Sequence, residues 1–185
     1  FLITYKNNIS CILRKKPPGT LLPSAHAIER EYKVQKALEK TKIPCPKMIA
    51  LCENTDIIGT PFYLMQLIKG NVFENILEID ANLRKPIFLN MVKMLGQLHD
   101  VNYLNVGLND FGRGEEYIIR QIVRWQKQWH LSKQRELPEI DKIIVWLENN
   151  LPNDNSKSIV HGDFRLGNLI YEENGSDILA VLDWE

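Results

Sequence analysis

The residues best suited to chemistry lie in one short run, His161-Gly162-Asp163-Phe164-Arg165-Leu166-Gly167-Asn168, with Asp183 fifteen residues beyond Asn168. Asp163 and Asn168 stand five apart. That D-x-x-x-x-N spacing suits a phosphoryl-transfer loop, where the aspartate accepts the proton of an attacking hydroxyl and the amide holds a metal ion. Asn168 and Asp183 both offer oxygen, which hard cations such as Mg²⁺ select. Between them, Leu169-Ile170-Tyr171 and Ile178-Leu179-Ala180-Val181-Leu182 flank Asn174-Gly175, and Asn-Gly between apolar runs is a strong hairpin signal. A hairpin returns the chain to the end it started from, so Asn168 and Asp183 are expected to finish close together. Polar side chains among apolar strands are costly without partners, which favours a purpose over a plain surface turn. His161 is expected to brace the loop through hydrogen bonds, and Arg165 to offset charge on a moving phosphoryl group.

A second constellation lies near the start of the chain. On the helix expected after Ser24, the residues Ala27, Glu31, Val34 and Leu38 fall at i, i+4, i+7 and i+11, so Glu31 interrupts an apolar stripe. A carboxylate there needs a cation. The preceding strand, Ile12-Leu13-Arg14-Lys15, offers two, and alternation puts Arg14 on one face and Lys15 on the other. A strand cation held by a helix acid can grip nucleotide phosphates; a structural ion pair is the simpler reading. Other groups carry less. Gly112-Arg113-Gly114 has Tyr117 where a dinucleotide fingerprint needs its third glycine. His26, His99 and His130 have no metal-ligand spacing. No Ser or Cys has a nearby His and acid arranged for nucleophilic hydrolysis. Two rivals to phosphoryl transfer are a module that holds nucleotide without turnover, and a metal hydrolase using His161, Asp163 and Asp183, which would need further ligands.

The elements that must position these groups come in a simple order. Phe1 to Tyr5 and Ser10 to Leu13 are β-prone runs around the turn-like Lys6-Asn7-Asn8, and Pro17-Pro18-Gly19 closes the second. A helix runs from a Ser24 cap to Lys40, Pro44 and Pro46 interrupt the chain after it, and Phe62 to Ile68 is a buried strand closed by Gly70. Ala81 to Asp100 is helical, with Phe88, Met91, Val92, Leu95 and Leu98 inward. Glu115 to Ser132 is a second such helix, with Ile118, Ile122, Trp125 and Trp129 in the core, and Pro138 opens a third, with Ile140, Ile143, Ile144 and Leu147 inward. The expected class is α+β: a β-rich lobe over residues 1–70, then a mainly helical lobe over residues 71–185 carrying the hairpin. Lys plus Arg and Asp plus Glu both number 23 in 185 residues, which gives no argument for a nucleic-acid or anionic-membrane partner. No apolar run is long enough to span a membrane. Cys11, Cys45 and Cys52 form no C-x-x-C pair, so reduced thiols in an intracellular protein are expected. A chain that begins at Phe1 and stops just past an apolar strand reads as a piece of a longer protein, cut at both ends.

The run His161 to Asn168, followed by Val181-Leu182-Asp183-Trp184-Glu185, resembles the aminoglycoside phosphotransferase and choline kinase superfamily, whose fold is that of protein kinases. Leu13-Arg14-Lys15-Lys16-Pro17-Pro18-Gly19, Leu22-Pro23-Ser24-Ala25-His26, Arg30-Glu31-Tyr32 and Ile58 to Met65 look like the kinase-like domain that precedes acyl-CoA dehydrogenase domains in some larger proteins. The resemblance implies ATP and Mg²⁺ as cofactors and a small-molecule hydroxyl as substrate, with hydroxylated acyl groups associated with this branch. It implies Asp163 as base with Arg165 nearby, Asn168 and Asp183 as Mg²⁺ ligands, and Arg14, or Lys15 after a one-residue shift, on the phosphates with Glu31 as partner. Met65, Gln66 and Leu67 would lie beside the adenine. A fused acyl-CoA dehydrogenase domain is a further implication.

Overall fold

A computed structural model describes residues 1–5, 10–16, 27–112, 117–152 and 156–184 of the chain. The expected Lys6-Asn7-Asn8 turn, Pro17-Pro18-Gly19, the Ser24 cap, His26, Arg113 with Gly114, and the helix start at Glu115 lie outside the described residues. The chain divides into two compact units, residues 1–111 with 158–185, and residues 112–157. The expected boundary near Gly70 falls inside the first unit.

The first unit opens on a sheet. Strands β1 (Leu2–Thr4), β2 (Ser10–Lys15), β3 (Met48–Cys52) and β4 (Phe62–Gln66) form an antiparallel sheet in the order β1-β2-β4-β3. Strand β3 was not expected: the neighbouring prolines mask it, and pairing with β4 makes it a strand. Helix α1 (Ile28–Leu38) begins after Ala27 and packs one face on the sheet. Ile28, Met48, Tyr63 and Met65 form a small core there, with Ile12, Tyr32 and Leu51 at its margin. Alternation along β2 therefore sends Ile12 and Arg14 towards α1.

Helix α2 (Ala81–His99) lays one face against the larger core. Its buried residues are Ile87, Met91 and Leu98, whereas Phe88 and Val92 are exposed. Met91 and Leu98 are inward as expected, while Ile87 takes the place of Phe88, so the buried face leans to the Ile87 side of the expected one. Ile87-Phe88 and Met91-Val92 offer two apolar faces at the same period, and packing against Leu169, Tyr171, Val181 and Trp184 selects one of them.

The hairpin forms as expected, from β5 (Leu169–Tyr171) and β6 (Ile178–Val181). It is joined to the exit from β4 by a two-way backbone bridge: the Asn71 N–H donates to Tyr171 O at 2.9 Å, and the Tyr171 N–H donates to Asn71 O at 2.8 Å. Gly70 precedes this bridge because nothing larger fits. A Cβ there would run into the Tyr171 carbonyl and stand 2.6 Å from Ile170 Cγ2.

The second unit holds α3 (Tyr117–Ser132) and α4 (Pro138–Asn149). The apolar stripes are real, but among the described residues the α3 stripe is not core, and of the α4 stripe only Ile144 is buried, as expected of it. Ile118, Trp125 and Ile143 are exposed, and no residue of α3 is buried. The stripes line an open apolar groove of about 440 Å³ between the two helices, with Ile122, Trp129, Ile140, Ile144 and Leu147 in its walls. No helix of the described residues is long and apolar enough to cross a membrane.

The Gly70 packing yields a paired test. Gly70→Ala should destabilise by about 1–3 kcal/mol, the usual cost of overpacking. Gly96→Ala, in α2 with nothing within 4 Å of its would-be Cβ, should instead stabilise by about 0.5–1 kcal/mol. Urea denaturation of the two variants measures both signs.

Candidate active site

The loop before the hairpin is built around a glycine and a buried histidine. Gly162 has a φ of 95°, a left-handed conformation that favours glycine. His161 is buried, with its ring 4.5 Å from that of Trp184 and 5.7 Å from that of Phe164. Its Nε2 donates to Leu182 O at 2.8 Å, and its Nδ1 accepts from the Asp163 N–H at 3.3 Å. A carbonyl can only accept and an amide can only donate, so these partners put the ring proton on Nε2. One side chain thus ties Asp163 to the residue before Asp183, the bracing role expected of it. With both ring nitrogens engaged, His161 has no lone pair for a metal, which removes a ligand from the hydrolase alternative.

Asp163 is held by two donors. Asn168 Nδ2 donates to Asp163 Oδ2 at 3.0 Å and to its backbone carbonyl at 2.8 Å. Arg165 Nε donates to Asp163 Oδ2 at 3.1 Å, while Arg165 Nη1 donates to Glu74 Oε2 at 3.0 Å. The Glu74 and Asp163 carboxylates hold the Arg165 guanidinium above its usual pKa, through hydrogen bonds first and charge second. Glu74, on the segment after β4, was not foreseen; it lies 91 residues from Arg165 in sequence, and nothing local signals the pairing.

The hairpin does what its turn implied. The Leu182 N–H donates to Asn168 O at 2.9 Å, so Asn168 and Asp183 meet at its open end. Asp183 has a φ of 60°. Few non-glycine residues adopt that region, and aspartate is among those that tolerate it. Asn168 spends its amide nitrogen on Asp163, which leaves its Oδ1 as the side-chain oxygen for other partners.

Arg14, not Lys15, turns to the helix. Its Nε donates to Glu31 Oε2 at 2.7 Å, and its Nη2 donates to Asp183 Oδ1. Lys15 faces the other way, with Nζ 5.6 Å from the centre of the Phe1 ring. Glu31 is buried, and burial pushes its carboxyl up to about 7 against the opposing pulls of Arg14 and the Tyr63 hydroxyl. Burial pulls the Arg14 guanidinium down, but Glu31, Tyr63 and Asp183 outweigh it and hold it above its usual value. Tyr63 and Gln35 complete this cluster and were also missed. The signal was available for Gln35, which sits one helical turn after Glu31 on the same stripe.

Met65 is buried on β4, Gln66 ends that strand with its backbone N–H bonded to Lys47 O at 2.9 Å, and Leu67 comes next, half-buried. Among the described residues, no three His, Cys, Asp or Glu side chains cluster as a metal site. Magnesium does not require one, since it commonly takes one or two carboxylates and completes its shell with water and phosphate oxygens. Asn168 and Asp183 fit that pattern in type.

The architecture and this loop place the chain among proteins with a kinase-like, aminoglycoside-phosphotransferase fold. A solved Ralstonia eutropha structure named for the aminoglycoside phosphotransferases superposes on the whole chain with a TM-score of 0.84 at 35% identity, the match covering 58% of that protein. An aminoglycoside-3'-phosphotransferase of type VIII shares the fold at 13% identity, with a TM-score of 0.68 over 96% of this chain and 63% of the other. The chain belongs to the phosphotransferase enzyme family, whose model matches residues 1–185. It is also 43% identical over 176 residues to acyl-CoA dehydrogenase family member 10 of Mus musculus, covering 94% of this chain but only 16% of that relative.

The Glu31 environment has a measurable signature. Between pH 4.5 and about 7 the folded protein keeps a proton on Glu31 that the unfolded chain releases, so this contribution to stability is complete below pH 4.5 and is lost as pH rises through about 7, above which Glu31 is a carboxylate. Over that window it should change stability by up to about 1.4 kcal/mol per pH unit. Glu31→Gln should flatten that slope in urea titrations run at several pH values; an unchanged slope would mean that Glu31 is not the group responsible.

Proposed function

We propose that this chain forms the nucleotide-binding and catalytic part of an ATP- and Mg²⁺-dependent kinase that phosphorylates a hydroxyl of a small molecule. The observation that carries the reading is the meeting of Asp163, Asn168 and Asp183 around one hydrogen-bonded histidine, with Arg14 reaching Asp183 from the sheet. Asp163 is the base. Two donors on one of its oxygens fix the carboxylate's orientation, so that it can align the acceptor hydroxyl and take its proton. Arg165 lies beside it to offset charge on the transferring group. Asn168 and Asp183 would hold Mg²⁺, which when bound neutralises phosphate charge. Arg14, aimed by Glu31, would contact the phosphates, and Met65, Gln66 and Leu67 would lie beside the adenine.

The relative's name supports a finer reading. A kinase segment within an acyl-CoA dehydrogenase points to a hydroxylated acyl thioester as acceptor, and to a dehydrogenase domain on the same polypeptide acting on a related acyl group. One observation favours a second reading, a nucleotide-binding module without turnover: the Arg14–Asp183 ion pair engages a carboxylate that the metal would need.

ADP release from Mg·ATP, with and without hydroxyacyl-CoA thioesters, separates the two. Acceptor-dependent release is expected. Asp163→Asn should slow it by at least about 100-fold with little change in ATP affinity. Asp183→Ala should weaken Mg·ATP binding in titration calorimetry. Unchanged turnover in the first variant, or unchanged affinity in the second, would remove that residue from its role.

A further inference from the structure

We infer that Tyr63 is a positioning residue for the nucleotide site, acting through Glu31 on Arg14. The inference rests on the proposed kinase reading for its consequence, but not for its geometry. Tyr63 is the second residue of β4, fully buried, and its Cα is the cross-strand partner of Arg14. Its hydroxyl accepts a hydrogen bond from Gln35 Nε2 at 3.2 Å, and Gln35 is itself fully buried on α1. Glu31 sits one helical turn before Gln35 on the same face, so the hydroxyl that meets Gln35 also stands against the Glu31 carboxylate. The charged and titratable groups facing Glu31 are then Arg14 from β2, Tyr63 from β4 and Asp183 from the end of the hairpin.

The direction of each bond is set by chemistry. Gln35 gives an amide proton to the Tyr63 oxygen. Tyr63 has one proton to give, and the neighbouring carboxylate is the acceptor that gains most from it. Glu31 in turn accepts from Arg14 Nε, and Arg14 spends Nη2 on Asp183. Observed bonds run from Gln35 to Tyr63 and from Glu31 through Arg14 to Asp183, and a Tyr63–Glu31 bond would join the two into one chain. Glu31 has two oxygens, and a buried carboxylate with one of them unserved is free to rotate or to take up a proton. Tyr63 serves it and so keeps the carboxylate fixed for Arg14. A bulky aromatic residue alone would fill the same space without doing this, which makes Phe the informative substitution.

The test uses Tyr63→Phe, Glu31→Gln and the double variant, with Mg·ATP as the probe. Loss of a hydrogen bond to a charged group should weaken Mg·ATP affinity in titration calorimetry by about tenfold in Tyr63→Phe. Arg14 would grip ground state and transition state alike, so the KM for ATP in slow ATP hydrolysis should rise while kcat changes less than about twofold. In the Glu31→Gln background, Tyr63→Phe should add no further loss. An equal loss in both backgrounds, or none in either, would overturn the inference and leave Tyr63 a packing residue. If the unmodified protein binds no Mg·ATP, the kinase reading fails, and the relay is then judged by urea denaturation of the same three variants. Coupled, non-additive stability losses uphold it, and additive losses reject it.

Discussion

One guanidinium holds the site together. Arg14 sits on a strand, and it bonds a carboxylate on a helix and another at the end of a hairpin. Those two acids are 152 residues apart in the chain. No local preference brings them together; the sheet, helix and hairpin must all be in place before Arg14 can serve both. Desolvating the Glu31 carboxylate is expensive unless the cation is well aligned. That cost links the folding of the small core beneath α1 to the arrangement of the chemical groups.

The remaining structure supplies rigidity to this junction. The backbone bridge between Asn71 and Tyr171 fastens the exit of β4 to the hairpin, and the Val181 N–H bonds Pro44 O at 2.9 Å on the way from α1 to β3. α1 is anchored on its outer side as well, with Lys33 bonded to Asp110 and Arg30 over the Phe111 ring. Below the loop, the buried His161 packs on Trp184, which belongs to the larger core that α2 joins. Of the candidate site's side chains, Arg14, Glu31 and Asn168 stand on packed elements, while Asp163 is half-exposed on the loop and is held by its donors.

Much of this was legible in the residues, for identifiable reasons. The hairpin was announced by Asn174-Gly175 between two apolar runs. The Glu31 pairing was legible because a carboxylate on an apolar stripe must be answered by a cation. Which cation answered was not, since Arg14 and Lys15 alternate and only the placement of α1 decides between them. β3 was hidden by flanking prolines. The face of α2 was ambiguous because adjacent apolar residues satisfy helical periodicity in two phases. On α3 the stripe was read correctly as apolar and wrongly as core, because periodicity reports what a face is made of and not what covers it. Glu74 and Tyr63 were invisible for the commonest reason: their partners are distant in sequence, and nothing in their own neighbourhood marks them.

The left-handed backbone at Asp183 narrows what evolution can try there. Glycine, asparagine and aspartate tolerate such a conformation with least strain, and of these only aspartate bears the negative charge that Arg14 meets. Glutamate would keep the charge but strain the main chain, and asparagine would keep the main chain but drop the charge. Steric and electrostatic demands therefore converge on a single amino acid, and most single-nucleotide drift at that codon meets one penalty or the other.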